Sequence, residues 1–198
     1  DAGSSITENT NYCYDPENNS WATKTAMPAS IYSHTSSEVN GKIYVIGGAT
    51  FLKTNYCYDV STDSWSTKAS IPEGLYYHTA AVVDGKIYAM GGMSGIATNY
   101  CYDPITDSWS TKTSMPDGRY GHAASVVDGK IYVMGGHVAL NNNYCYDVLT
   151  DSWSTKASML WGLESHTAST LDGKIYVLGG DAGSSITENT NYCYDPEN

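Results

Sequence analysis

Residues 121–156 read GHAASVVDGKIYVMGGHVALNNNYCYDVLTDSWSTK, and the reading of this stretch decides the fold. GHAASVV alternates apolar and polar positions as a half-buried strand, strand a, and Asp128-Gly129 supplies a two-residue hairpin turn. KIYVMGG is an apolar, β-branched strand b that stops at a glycine pair. After a loop, NYCYD reads as strand c, LTDS as a polar turn and SWSTKAS as strand d. Nothing in the stretch has helical period. Four antiparallel strands, bounded by Gly and aromatic markers, predict one blade of an all-β propeller.

Working outward, the same blade recurs. The doublets Gly47-Gly48, Gly91-Gly92, Gly135-Gly136 and Gly179-Gly180 lie 44 residues apart, as do Trp21, Trp65, Trp109 and Trp153. NYCYD begins at Asn11, Asn55, Asn99 and Asn143 with the same step, and a fifth time at Asn191 after 48 residues. Residues 181–198 are identical to residues 1–18, although the other repeats differ at many positions. The cyclic unit is therefore 180 residues, and the chain runs 18 past it.

The glycine pair, a Tyr-Asp pair about ten residues later and a Trp six residues beyond resemble the Kelch repeat, as Gly91-Gly92, Tyr102-Asp103 and Trp109 show in full. A WD40 reading fails because no repeat ends in Trp-Asp. The resemblance implies an all-β, Kelch-type β-propeller of four four-stranded antiparallel blades, its ring closed by N- and C-terminal strands in one blade. Four is fewer than such rings usually have. Residues 1–198 then form a single propeller: 1–28 give strands c and d of the closing blade, and 29–72, 73–116 and 117–160 are full blades. Residues 161–198 give strands a and b of the closing blade plus the duplicated strand c. The family fold is used mostly to bind proteins and sometimes sugars.

Charge removes one class of partner. The net charge is -11, and Lys42, Lys86, Lys130 and Lys174 recur with the blades, as do Lys24, Lys68, Lys112 and Lys156. Such spread-out cations make no phosphate-binding patch, so nucleic acid is not an expected partner. No apolar run approaches 18 residues, so no membrane span is expected. Asp1 opens the chain without Met or a basic-then-apolar leader, and a processed or excised form is the expectation.

The titratable residues follow the lattice too. Cys13, Cys57, Cys101, Cys145 and Cys193 each sit at the centre of a strand c, with no CxxC spacing. Equivalent points on neighbouring blades exceed the roughly 7 Å Cα limit for a disulfide, so free, buried thiols are expected. His34, His78, His122 and His166 share one place in successive strands a. Packing between blades is the ordinary reading, and a channel metal site of four imidazoles is the minor alternative. No cofactor is expected.

Function is sought where repeats differ, because blades obey packing while loops vary. The a–b and c–d turns hardly change, whereas the b–c and d–a loops do, and propeller geometry puts both of these on one face. That face is expected to hold Tyr32, Phe51, Lys53, Glu73, Tyr76, Tyr77, Asp117, Arg119, Tyr120, His137, Trp161 and Glu164. Aromatic and Arg residues on one face suit recognition of a protein segment or a glycan. Two other readings stay open: a structural or engineered propeller without a native ligand, able to exchange strands through its duplicated terminus, and a sugar-active enzyme using Glu73, Asp117 or Glu164. No Ser-His-Asp set, phosphate loop or HExxH motif supports catalysis, and a non-enzyme is expected. Two copies of NYCYD compete for one strand c position, in a monomer or in a strand-exchanged homodimer.

Overall fold

The computed structural model describes residues 8–138, 140–183 and 191–197, and among them there are only strands, turns and loops. The chain divides into two compact units, Asp1–Tyr76 and Tyr77–Asn198. In the first, β1 (Asn11–Asp15) and β2 (Ser20–Lys24) form a two-stranded sheet. β3 (Thr35–Val39), β4 (Lys42–Ile46), β5 (Asn55–Asp59) and β6 (Ser64–Thr67) form a four-stranded blade. In the second unit, two more blades are built from β7 (Thr79–Val83), β8 (Lys86–Met90), β9 (Asn99–Asp103) and β10 (Ser108–Thr111), and from β11 (Ala123–Val127), β12 (Lys130–Met134), β13 (Asn143–Asp147) and β14 (Ser152–Lys156). β15 (Thr167–Leu171), β16 (Lys174–Leu178) and β17 (Asn191–Tyr194) form a three-stranded sheet. All pairings are antiparallel between sequence neighbours, the meander read from the sequence.

One pairing is left open by the sequence. β16 takes β17 as its strand c, with Leu178 opposite Asn191 and Ile175 opposite Tyr194. The identical β1 pairs with β2 instead. The connection from β16 to β17 is only residues 179–190, which holds the C-terminal copy at high effective concentration beside β16.

The register explains the periodic lysines. Lys42 lies opposite Asp59 and Lys130 opposite Asp147. Ion pairs follow at 2.9 Å for Lys42–Asp59, 3.0 Å for Lys86–Asp103, 3.5 Å for Lys130–Asp147 and 3.2 Å for Lys174–Asp195. The lysines at the starts of strand b are thus cross-strand partners as well as solvated groups. The lysine of each pair is largely exposed, so solvent screens the attraction and the pairs add little to stability.

The Tyr, Asp and Trp markers join sheet to sheet. In the second unit, Trp153 Nε1 donates to the Thr113 carbonyl at 2.8 Å, and the Thr113 N–H donates to Asp151 at 2.8 Å. Asp151 also accepts from the Tyr146 hydroxyl at 2.6 Å, and Tyr146 packs on Trp153 with ring centroids 4.9 Å apart. The Tyr146 hydroxyl, followed by the Thr113 N–H, holds the Asp151 carboxyl below the usual carboxylate range. The first unit repeats the clamp with Trp65, Thr25, Asp63 and Tyr58. Apolar packing fills the rest of each seam: Tyr88 of β8 meets Tyr146 of β13, and Tyr132 of β12 meets Tyr194 of β17.

In two of the glycine doublets the first glycine is a steric necessity. A Cβ at Gly91, whose φ is +66°, would lie 2.5 Å from the Arg119 carbonyl oxygen and 2.7 Å from His122 Cε1. At Gly135 the same atom would meet the Leu163 carbonyl oxygen and His166 Cε1, each at 2.5 Å. Strand b can end there only as glycine, because the next blade's imidazole and backbone occupy the space.

Candidate loop-face site

The variable loops of the second unit build a cluster from the chain upward. The d–a loop 117–121 leaves β10 and the b–c loop 137–142 leaves β12, and the glycine pair at 135–136 lets them meet. The His137 N–H donates to the Tyr120 carbonyl at 2.8 Å, and the Gly136 N–H to that of Leu163 at 2.8 Å. Tyr120 and His137 then stack, 4.3 Å between centroids and 20° between planes. His137 Nδ1 is 2.8 Å from Glu164 Oε2, so the ring is held from both sides. A cavity of about 370 Å³ opens here, lined by Asp117, Arg119, Tyr120, His137, Val138 and Leu140 with Gly95 and Gly118.

Arg119 was expected on the surface, and it is 1% exposed. Its guanidinium donates to the Gly135 carbonyl at 2.8 Å, lies 4.8 Å from the Tyr144 ring centroid and stands 3.7 Å from Asp117. The Tyr144 hydroxyl donates to Asp117 as well. Nε and the second terminal nitrogen of Arg119 are buried without a hydrogen-bond partner. Burial lowers the Arg119 pKa, with Tyr144 and Asp117 opposing. The sole Arg is therefore the charged back wall of this cluster and the tie between the two blades. Tyr144 belongs to the site although sequence reading assigned it to the repeated core. Its position is shared with Tyr56 and Tyr100, so no sequence signal separates it from them.

The remaining candidates divide by unit. In the second, Tyr77 and Trp161 are exposed and Glu164 is half-buried. In the first unit, Phe51 meets Tyr76 edge-on at 4.7 Å, and Lys53 Nζ donates to the Pro72 carbonyl at 2.7 Å. Tyr32, Phe51, Lys53 and Glu73 are exposed there. Phe51 adopts φ +58°, a strained left-handed conformation for a residue with a side chain.

Among the described residues no three His, Cys, Asp or Glu side chains come together as ligands. His122 lies against Gly91 and His166 against Gly135, which is packing between blades. Burial, then the charges of Arg119, His78 and His166, pushes the His122 pKa down to about 3. Burial alone pushes His166 down to about 4. Cys57, Cys101 and Cys145 are buried and free, while Cys13 and Cys193 are free and exposed, against the expectation of five buried thiols. No helix among the described residues is long and apolar enough to cross a membrane.

This arrangement is that of a Kelch β-propeller, and comparison with known proteins agrees. The family model described as the KLHDC2/KLHL20/DRC7 Kelch-repeats domain matches residues 2–180, and the Kelch motif matches residues 164–198. The chain belongs to the Kelch-repeat family. The solved structure of YjhT is similar in fold, with a TM-score of 0.77 and 20% identity over 87% of this chain. The match spans 66% of that structure's length. No curated protein sequence matches the chain. Kelch propellers are usually non-enzymatic modules, and they generally bind proteins.

Proposed function

We propose that the chain is a non-enzymatic binding module that grips a protein segment between the b–c and d–a loops around Tyr120 and His137. The stacked Tyr120–His137 pair beside a cavity backed by the buried Arg119 carries the reading. Two flat rings held from behind present contact area at little entropic cost, and the exposed Asp117 carboxylate in front of buried Arg119 offers a hydrogen-bond acceptor to polar groups in the segment. Val138 adds apolar lining to the same cavity, and Tyr77 and Trp161 are further exposed aromatic candidates in this unit. Within the first unit the candidate contact residues are Tyr32, Phe51, Lys53, Glu73 and Tyr76.

A combined peptide and glycan array tests it. Peptide ligands are expected, with affinity falling at least about 10-fold in Tyr120→Ala and in His137→Ala at unchanged melting temperature. Glycan ligands alone, no ligand of either class, or peptide binding untouched by both variants would reject the proposal.

A further inference from the structure

The two ends of the repeat series carry matching halves of one interface. In both units a Trp of strand d closes on the backbone just beyond strand d of the preceding sheet, Trp65 on Thr25 and Trp153 on Thr113, each at 2.8 Å. Asp63 and Asp151 complete each contact by accepting from the same threonine's N–H. One repeat of 44 residues beyond Thr113 stands Ala157. It is exposed, and a cavity of about 400 Å³ opens against it, lined by Ser158, Met159, Leu160 and Asn191–Tyr194 of β17. This is where the clamp of a further strand d belongs. Among the described residues β17 has β16 on one edge and no strand on the other.

The matching half lies in β2. Trp21 occupies the lattice position of Trp65 and Trp153, yet it is 70% exposed. Asn19 stands at the position of Asp63 and Asp151, and its Oδ1 accepts from the Tyr14 hydroxyl at 2.7 Å just as those carboxylates accept from theirs.

We propose that strand β2 of a second copy of this chain pairs with the free edge of β17. Trp21 enters the cavity, its Nε1 donates to the Ala157 carbonyl, and Asn19 accepts from the Ala157 N–H. Sequence identity names the occupant. Because residues 181–198 repeat residues 1–18, β17 offers β2 the side chains that β1 offers. In the register of β1 with β2, where Tyr14 faces Trp21 and Cys13 faces Ala22, Tyr194 and Cys193 take those places. The c–d ladder is exchanged like for like, as in domain swapping. What the exchange adds is the burial of Trp21 and the closure of one more clamp of an interface the molecule already uses. Reciprocal exchange gives a pair of chains, and exchange in one direction gives a head-to-tail array.

Native mass spectrometry and sedimentation of the full chain over a range of concentration test the proposal. Species of two or more chains are expected, with Trp21 fluorescence shielded from quencher. Trp21→Ala, a change at an exposed side chain, weakens association at least about 30-fold. Two further variants have opposite signs. Cys13→Pro spoils β1 as the competing partner and strengthens association, whereas Cys193→Pro spoils β17 and abolishes it. A chain that stays monomeric at all concentrations overturns the proposal, including one in which Trp21 is shielded by pairing within its own chain. So does association indifferent to Trp21→Ala, or a loss in both proline variants.

Discussion

β13 and β1 have the same sequence, NYCYD, and different surroundings. In β13 the first four residues are buried, with Tyr146 wholly enclosed and Cys145 out of solvent. In β1 the middle three residues are exposed, and Tyr12, Cys13 and Tyr14 face water. Both strands make the same antiparallel ladder to a following strand d. Hydrogen bonding within the hairpin is therefore indifferent to context, and burial is not. Among the described residues the β1–β2 sheet keeps its register but has no third strand beside β1 to help cover its rings. The repeat supplies side chains that match a neighbour, and only the neighbour turns them into core.

Thiol reactivity should break the comparison most widely. Cys13 and Cys193 are expected to react with a thiol reagent at near the unfolded rate, while Cys101 and Cys145 react about a thousandfold more slowly because reagent waits on opening of the blade. Mass-mapped labelling without denaturant reads this directly. Equal rates at all sites would mean that the blades breathe as freely as the terminal sheets.

Next in size is a matched pair of truncations. Tyr146→Ala removes a fully buried ring together with its bond to Asp151, and a loss of about 4 kcal/mol is expected. Tyr14→Ala, at the equivalent position, is expected to change stability by about 0.5 kcal/mol or less. Urea unfolding of both variants makes the measurement, and similar losses would refute the contrast.

The smallest difference between variants is read against pH, in His166. The folded pKa of His166 lies at about 4, below the unfolded value near 6.5, because the buried ring is kept neutral. The unfolded chain binds the proton first as pH falls. The stability held above about pH 6.5 is then lost on the way down to about 4, by on the order of 3 kcal/mol for this residue. His122 adds a loss in the same direction that extends to about pH 3. The carboxylates Asp59, Asp63 and Asp151 are depressed as well, so their losses begin only nearer the ordinary carboxylate range. A melting temperature that falls between pH 6.5 and 4.5, and falls less in His166→Gln, is the expected record.

Much was legible in the sequence because each repeat carries its own local rules. Asp128-Gly129 can only turn, KIYVM can only be an inner strand, and identical spacing forces the same blade again. Loop variation likewise pointed to Tyr120, His137 and Glu164, which the structure brings together. The burial of Arg119 was not legible, because its partners Gly135 and Tyr144 come from the next blade and look like ordinary repeat positions. Nor was it legible that β16 pairs with β17, since two identical strands carry no sequence difference by which to rank them. By itself, then, the sequence determined strand order, turns and the family, because period-two patterning, turn chemistry and repetition act over a few residues. The tertiary structure alone decided which copy of a repeated strand is used and which of its side chains are covered, because burial depends on what lies across the seam.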